Sequence, residues 1–216
     1  MIMPAIATRT FKMFQEESSF RKLVKRMTQK ISKISDPVKR ARFVHKKINE
    51  EIESQFKDQM VGTLVQCKKG CSACCHSQVA ITHSEALLIA EKVEEGVGID
   101  YERLHLQAKA GNSAKDFFQL TFEERACVFL NDKNQCSIYE DRPSVCRTNY
   151  VLSDPKNCEI RKGQSPSVQL LNTFSADTWV YSYFKLGNNN GALAFLLQRV
   201  LKEKDNQIKF PLSKEY

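Results

Sequence analysis

The stretch CKKGCSACCHSQVAITHSEALLIAEKV, residues 67–93, places four cysteines within nine residues and runs straight into a helical pattern. Thr82-His83-Ser84-Glu85 reads as a capping box, in which the Thr82 hydroxyl and the Glu85 carboxylate each satisfy a free backbone N–H. It predicts a helix over 86–94, closed by Gly96, with 78–81 as a short extended piece before it. Thiolates are soft ligands for zinc, copper(I) and iron–sulfur clusters, and a tetrahedral sulfur set points to zinc or iron–sulfur. The two-residue gap between Cys71 and Cys74 lets both sulfurs turn to one ion. Side chains of the adjacent Cys74 and Cys75 diverge, which predicts that one of them bridges two metals or serves a second site.

Reading outward from that stretch, Cys127, Cys136, Cys146 and Cys158 join Cys67, Cys71, Cys74 and Cys75 as the metal-ligand candidates. Eight thiols fill two four-sulfur sites, or one polynuclear centre with spare thiols. A disulfide framework and inert buried thiols are the competing readings. Clustering argues against both, and eight cysteines in 216 residues fall short of a disulfide scaffold. Arg142 and Arg147 flank Cys146 and, with Tyr139, are candidates to surround the ligands. The two arginines would offset thiolate charge and donate to sulfur, unless they are simply solvated surface residues. Pro143 following Asp141 predicts a helix start with Cys146 on its first turn, where the helix dipole favours thiolate. His76 is either a further ligand or a neighbouring donor; His83, inside the capping box, reads as solvent-facing, and His45 and His105 read as ordinary helical residues.

On the N-terminal side, Phe20, Val24, Met27, Ile31 and Ile34 form one apolar helical stripe. Asp36 as N-cap and Pro37 at the first position start a second helix, whose stripe is Ala41, Val44, Ile48, Ile52 and Phe56. Residues 21–47 carry eleven Lys/Arg against one acid, Asp36, so the remainder of the +8 chain is slightly acidic. That segment could meet an anionic partner, or simply be a solvated face. It lacks interleaved aromatics, so no strong nucleic-acid signature arises. Helices are also expected over 99–110, 121–126, 168–186 and 192–204, the last burying Leu193, Phe195, Leu196, Val200 and Leu201. Trp179, Tyr181, Tyr183 and Phe184 read as core.

The expected architecture is mainly α, with little strand. A basic helical hairpin (1–62) packs on a small cysteine-rich, metal-centred domain (63–160), and C-terminal helices (161–216) pack on the core. No apolar run approaches the ~18 residues of a membrane-spanning helix, and the N-terminus does not read as a signal peptide, which predicts a cytoplasmic chain. No catalytic triad order, phosphate-cradling glycine loop or HExxH motif occurs.

With the later run CVFLNDKNQCSIYEDRPSVCRTNY, residues 127–150, the pattern resembles the bacterial YkgJ-type cysteine-cluster family. This family is also called the CxxCxxCC zinc- or iron-chelating domain, and the resemblance covers about residues 65–160. The double cysteine, the Cys-Ser-Ile-Tyr run and the Arg-Pro-x-x-Cys-Arg ending come in the family's order. Cys67, Cys71, Cys74, Cys75, Cys127, Cys136 and Cys146 fall on family positions. The three-residue gap after Cys67, the Cys-Cys-His run and Cys158 resemble one branch. The resemblance implies a cysteine-cluster protein binding zinc or iron, a [4Fe–4S] cluster included. Flagellin lysine methylases carry a related cysteine region, where an iron–sulfur centre is associated with methyl transfer. An iron–sulfur enzyme of the protein lysine methyltransferase kind is therefore one alternative, and a binding module with a structural metal is another.

Overall fold

The computed structural model describes residues 4–68, 70–161 and 168–207. Among them the fold is mainly α, with a single two-strand sheet. None of these helices is long and apolar enough to cross a membrane.

Everything N-terminal of the cysteines is organised by one helix near the other end of the chain, α9 (Phe174–Leu186), buried from Ala176 through Phe184. Helix α2 (Ser18–Ser32) turns Phe20, Val24, Met27 and Ile31 towards it, while Ile34 falls beyond the helix end and is half-buried. Helix α3 (Pro37–Phe56) starts where the Asp36 carboxylate accepts from the Lys39 N–H at 2.7 Å, and its stripe buries Ala41, Val44, Ile48 and Ile52. The hairpin helices touch each other only lightly, because both stripes face α9. Helix α1 (Ala5–Phe14) closes the group, with Phe11 stacked on Tyr181 at 4.6 Å. Trp179, Tyr183 and Phe184 are core residues, as their spacing predicts.

A second apolar cluster lies against the cysteine segment. It joins α5 (His83–Glu94), α6 (Tyr101–Lys109) and α10 (Leu193–Gln207) to Val128, Phe129 and Ile138. The capping box of α5 is formed: Thr82 Oγ1 accepts from the Glu85 N–H at 3.2 Å, and Glu85 accepts from the Thr82 N–H at 2.8 Å. Gly96 adopts the left-handed φ of +95° that ends this region and that a side chain would resist. The extended piece before the helix is β1 (Ala80–Ile81), paired antiparallel with β2 (Gly191–Ala192).

Three expectations need correction. Residues 168–173 are not helical. Leu171 N–H donates to the Tyr150 carbonyl at 2.9 Å and Leu152 N–H to that of Gln169 at 2.8 Å, and these bonds hold the segment extended. The loop expected just before it falls, over 162–167, outside the described residues. Residues 121–126 make one turn rather than a helix, with Thr121 and Glu124 capping each other. On α10, Phe195 is 37% exposed and Leu201 half-buried, while Leu197 is buried, since 193, 196, 197 and 200 share the inner face. Three short helices, α4 (Gln59–Leu64), α7 (Ala114–Phe117) and α8 (Ser144–Arg147), connect the larger elements.

In urea denaturation, Ile48→Ala is expected to lose about 2–5 kcal/mol through the cavity left between α3 and α9. Asp36→Ala should lose about 1 kcal/mol through the missing cap. Equal losses would contradict this assignment of core and cap.

Candidate metal centre

Four separate stretches bring the cysteines to one region. Cys67 follows α4 in a loop tied to the 149–151 segment: Gln66 N–H donates to the Val151 carbonyl at 2.9 Å, and the Cys67 sulfur accepts from the Val151 N–H at 3.4 Å. Gly70, at φ +89°, turns the chain so that Cys71 N–H reaches the Lys68 carbonyl at 3.0 Å. A single 3₁₀ turn, Ala73–His76, carries Cys74 and Cys75. Cys127 N–H then donates to the Cys75 carbonyl at 2.8 Å, which joins the two halves of the motif through backbone. A bridge between Leu130 and Cys136, turned by Asn134 at φ 55°, returns Cys136 towards Cys127. Cys146 lies on α8, and Cys158 ends a one-turn 3₁₀ segment, Pro155–Cys158, capped by Asp154. All eight are free thiols; Cys71 is exposed and the other seven are half-buried.

Electrostatics place Cys74 at the hub. Its charge bears on Cys67, Cys75, Cys127, Cys136, Cys146 and Cys158, and that of Cys71 bears on Cys67 and Cys158. The hydrogen bond that joins the Cys74 and Cys75 thiols favours ionisation of Cys74 and, with burial, pushes Cys75 up. Burial raises Cys127 to about 12 and Cys158 to about 11. Cys146 also stands well above the ordinary thiol range, because burial and the neighbouring sulfurs act on it. The expected thiolate-favouring effect at Cys146 is therefore not the dominant one: a four-residue helix offers little dipole against that desolvation.

The flanking residues divide. Arg142 stands beside the sulfurs: its charge favours the thiolates of Cys74, Cys136 and Cys146. Its guanidinium lies 3.9 Å from the ring centre of Tyr139, a residue 57% exposed. Arg147 is only 1% exposed and gives its hydrogens elsewhere. Nε donates to the Arg142 carbonyl, Nη1 to Asn49 Oδ1 at 3.0 Å, and Nη2 to the Glu140 carbonyl and to His45 Nδ1. None of these hydrogen bonds ends on a sulfur, although its charge still reaches Cys136.

His45 is not an ordinary helical residue. Its Nδ1 accepts from Arg147 and its Nε2 donates to Glu85 Oε1 at 3.1 Å, which fixes a neutral tautomer between a buried cation and a buried anion. Glu85 also accepts from the Ser144 N–H at 2.7 Å. The chain Arg147–His45–Glu85 thus ties α3, α5 and α8 together beside Cys146. A clue was present in the sequence, since His45 falls between Val44 and Ile48 on the buried stripe. His76 stacks on Phe122 at 4.0 Å between ring centres, and its Nδ1 is buried without a hydrogen-bond partner among the described residues. His83 is half-buried, and His105 Nδ1 meets Gln198 Nε2 at 3.1 Å.

Two outcomes are expected from the relay. Glu85→Ala, which strands the Arg147 charge and the Ser144 N–H, should lose about 3–5 kcal/mol in urea denaturation. Burial holds the His45 pKa below its ordinary 6.5, against the opposing pull of Glu85. The unfolded chain therefore binds more protons below that pH, and stability should fall as pH drops beneath about 6.5. His45→Gln should flatten this slope between pH 6.5 and 5; an unchanged slope would refute the neutral assignment.

The donor chemistry fits zinc or iron: eight free thiols, several in mutual electrostatic reach, with Arg142 beside them. No three Cys, His, Asp or Glu side chains among the described residues close on a single-ion site. Residues 66–164 match the family model CxxCxxCC, described as "Putative zinc- or iron-chelating domain", which supports metal binding. No curated protein and no solved structure matches the chain. The matched segment, 66–164, contains all eight cysteines and is similar to the CxxCxxCC domain.

Proposed function

We propose that Cys67, Cys71, Cys74, Cys75, Cys127, Cys136, Cys146 and Cys158 hold zinc or iron in one polynuclear centre, of which an iron–sulfur cluster is the iron form. The observation that carries this reading is the meeting of the separate cysteine stretches, joined by the Cys127 N–H to the Cys75 carbonyl at 2.8 Å and by the Val151 N–H to the Cys67 sulfur at 3.4 Å. Bound zinc would supply a structural cross-link and an iron–sulfur cluster an electron store. The protein's own part is to offset thiolate charge with Arg142 and to hold every cysteine but Cys71 partly out of water.

Protein purified without chelator under nitrogen should contain stoichiometric zinc or iron. Labile sulfide and absorbance near ~400 nm would identify the cluster form. Absence of both metals would reject the proposal. Chelation, or Cys74→Ser, should increase protease cleavage within 66–164, because metal binding and folding are linked. Acid should release the metal as protons compete for sulfur. Unchanged cleavage after complete metal removal would contradict a structural contribution.

A second reading, an anionic partner, is favoured by one specific feature. Lys22, Lys25, Arg26 and Lys30 are exposed on the outer side of α2, with Lys33 exposed just past its end, and no carboxylate pairs with them among the described residues. Their helix is fixed by its buried face, so the basic face is left to solvent or to a surface bearing phosphate or sulfate groups. Replacing Lys22, Lys25, Arg26 and Lys30 with Ala should lower the salt needed to elute the protein from heparin, with metal content unchanged. Unaltered elution would remove this reading.

A further inference from the structure

Arg125 lies two residues before Cys127 and is only 3% exposed. A buried guanidinium is ordinarily paired with a carboxylate, yet none lies within ion-pair distance of it among the described residues. Its Nη1 donates to the His76 carbonyl at 3.3 Å and its Nη2 to the Ile160 carbonyl at 2.6 Å, while Nε has no hydrogen-bond partner. Those two carbonyls belong to different arms of the cysteine motif. His76 directly follows Cys75, and Ile160 stands two residues past Cys158. Local turns shape the second arm, from Asn157 N–H to the Asp154 carbonyl and from Glu159 N–H to the Lys156 carbonyl, but they do not fix where it lies.

The surroundings keep the guanidinium in place. Its central carbon sits 4.9 Å from the ring centre of Phe118 and 5.5 Å from that of Phe122. Phe122 is stacked on His76, so the same ring covers the double-cysteine turn and the arginine. Arg125 and Cys127 also line one small cavity of about 20 Å³, room for a water molecule and little more.

We propose that Arg125 is the positioning residue that fastens the Cys158 arm to the Cys74-Cys75-His76 turn. This inference rests on the metal-centre reading above. A planar fork serves it because two donors must reach two carbonyls at once, which an ammonium cannot match.

The test compares wild type, Arg125→Lys and Arg125→Gln, all purified under nitrogen, by metal content and by the rate at which iodoacetamide modifies each cysteine, mapped by peptide mass spectrometry. In Arg125→Gln the Cys158 rate should rise roughly tenfold or more, the scale expected for losing charge-assisted hydrogen bonds. Cys67, held by the 149–151 segment, should keep its wild-type rate. Arg125→Lys keeps a donor but loses the fork, so Cys158 should react faster than in wild type and slower than in Arg125→Gln. If Arg125→Gln does not fold, Arg125→Lys carries the test through the same comparison of Cys158 with Cys67. Equal acceleration at every cysteine, or no acceleration at Cys158 in either variant, would overturn the proposal. Wild type lacking metal, with Cys158 still responding selectively, would instead reject the metal-centre reading and leave the fastening role standing.

Discussion

Ionised sulfur atoms repel one another, and desolvation makes each harder to ionise; this constraint governs how the central segment is built. Four stretches of chain, separated by as many as 52 residues between Cys75 and Cys127, deliver thiols to a shared region. Without compensation most of them stay protonated, as the raised values at Cys127, Cys146 and Cys158 show. The compensation is local. Cys75 gives its proton to a hydrogen bond with Cys74, Arg142 adds positive charge, and backbone N–H groups such as that of Val151 reach sulfur. A bound cation of zinc or iron would act in the same direction and far more strongly, converting mutual repulsion into shared coordination.

The helices supply what a loop-rich cysteine segment lacks, namely fixed points. Helix α9 gathers the N-terminal helices, and α3 in turn presents His45 and Asn49 to Arg147, one residue beyond Cys146. Glu85 completes the link by capping α5, receiving His45 and accepting from the first N–H of α8. One carboxylate therefore serves a helix start, a buried histidine and the short helix that carries a thiol. Its charge survives burial because the bonds it accepts outweigh the lost hydration. The cost of so buried an ionic chain is justified by registration: it sets where α8 sits relative to α3 and α5.

Much of this was legible in the residues alone. Caps announce themselves locally, so Asp36-Pro37 and Thr82-x-x-Glu85 gave helix starts that the structure reproduces, and the stripes of α2 and α3 named their buried faces. Pairing between distant segments was not legible. The extended run at 168–173 exists because of bonds to 150–152, and no local signal in Val168 to Thr173 reports that partner. Arg147 and Arg125 were equally opaque, since sequence marks an arginine as charged but not as buried. The two resolve differently: Arg147 turns to His45 and Asn49, whereas Arg125 reaches two backbone carbonyls and no carboxylate.

X-ray absorption at the zinc or iron edge, on protein isolated with its native metal, tests the central claim most directly. A coordination shell dominated by sulfur at about 2.3 Å, with a further metal scatterer behind it, is the predicted result. A shell of nitrogen and oxygen at about 2.0–2.2 Å would contradict it, because the thiols would then have gathered around something other than the metal.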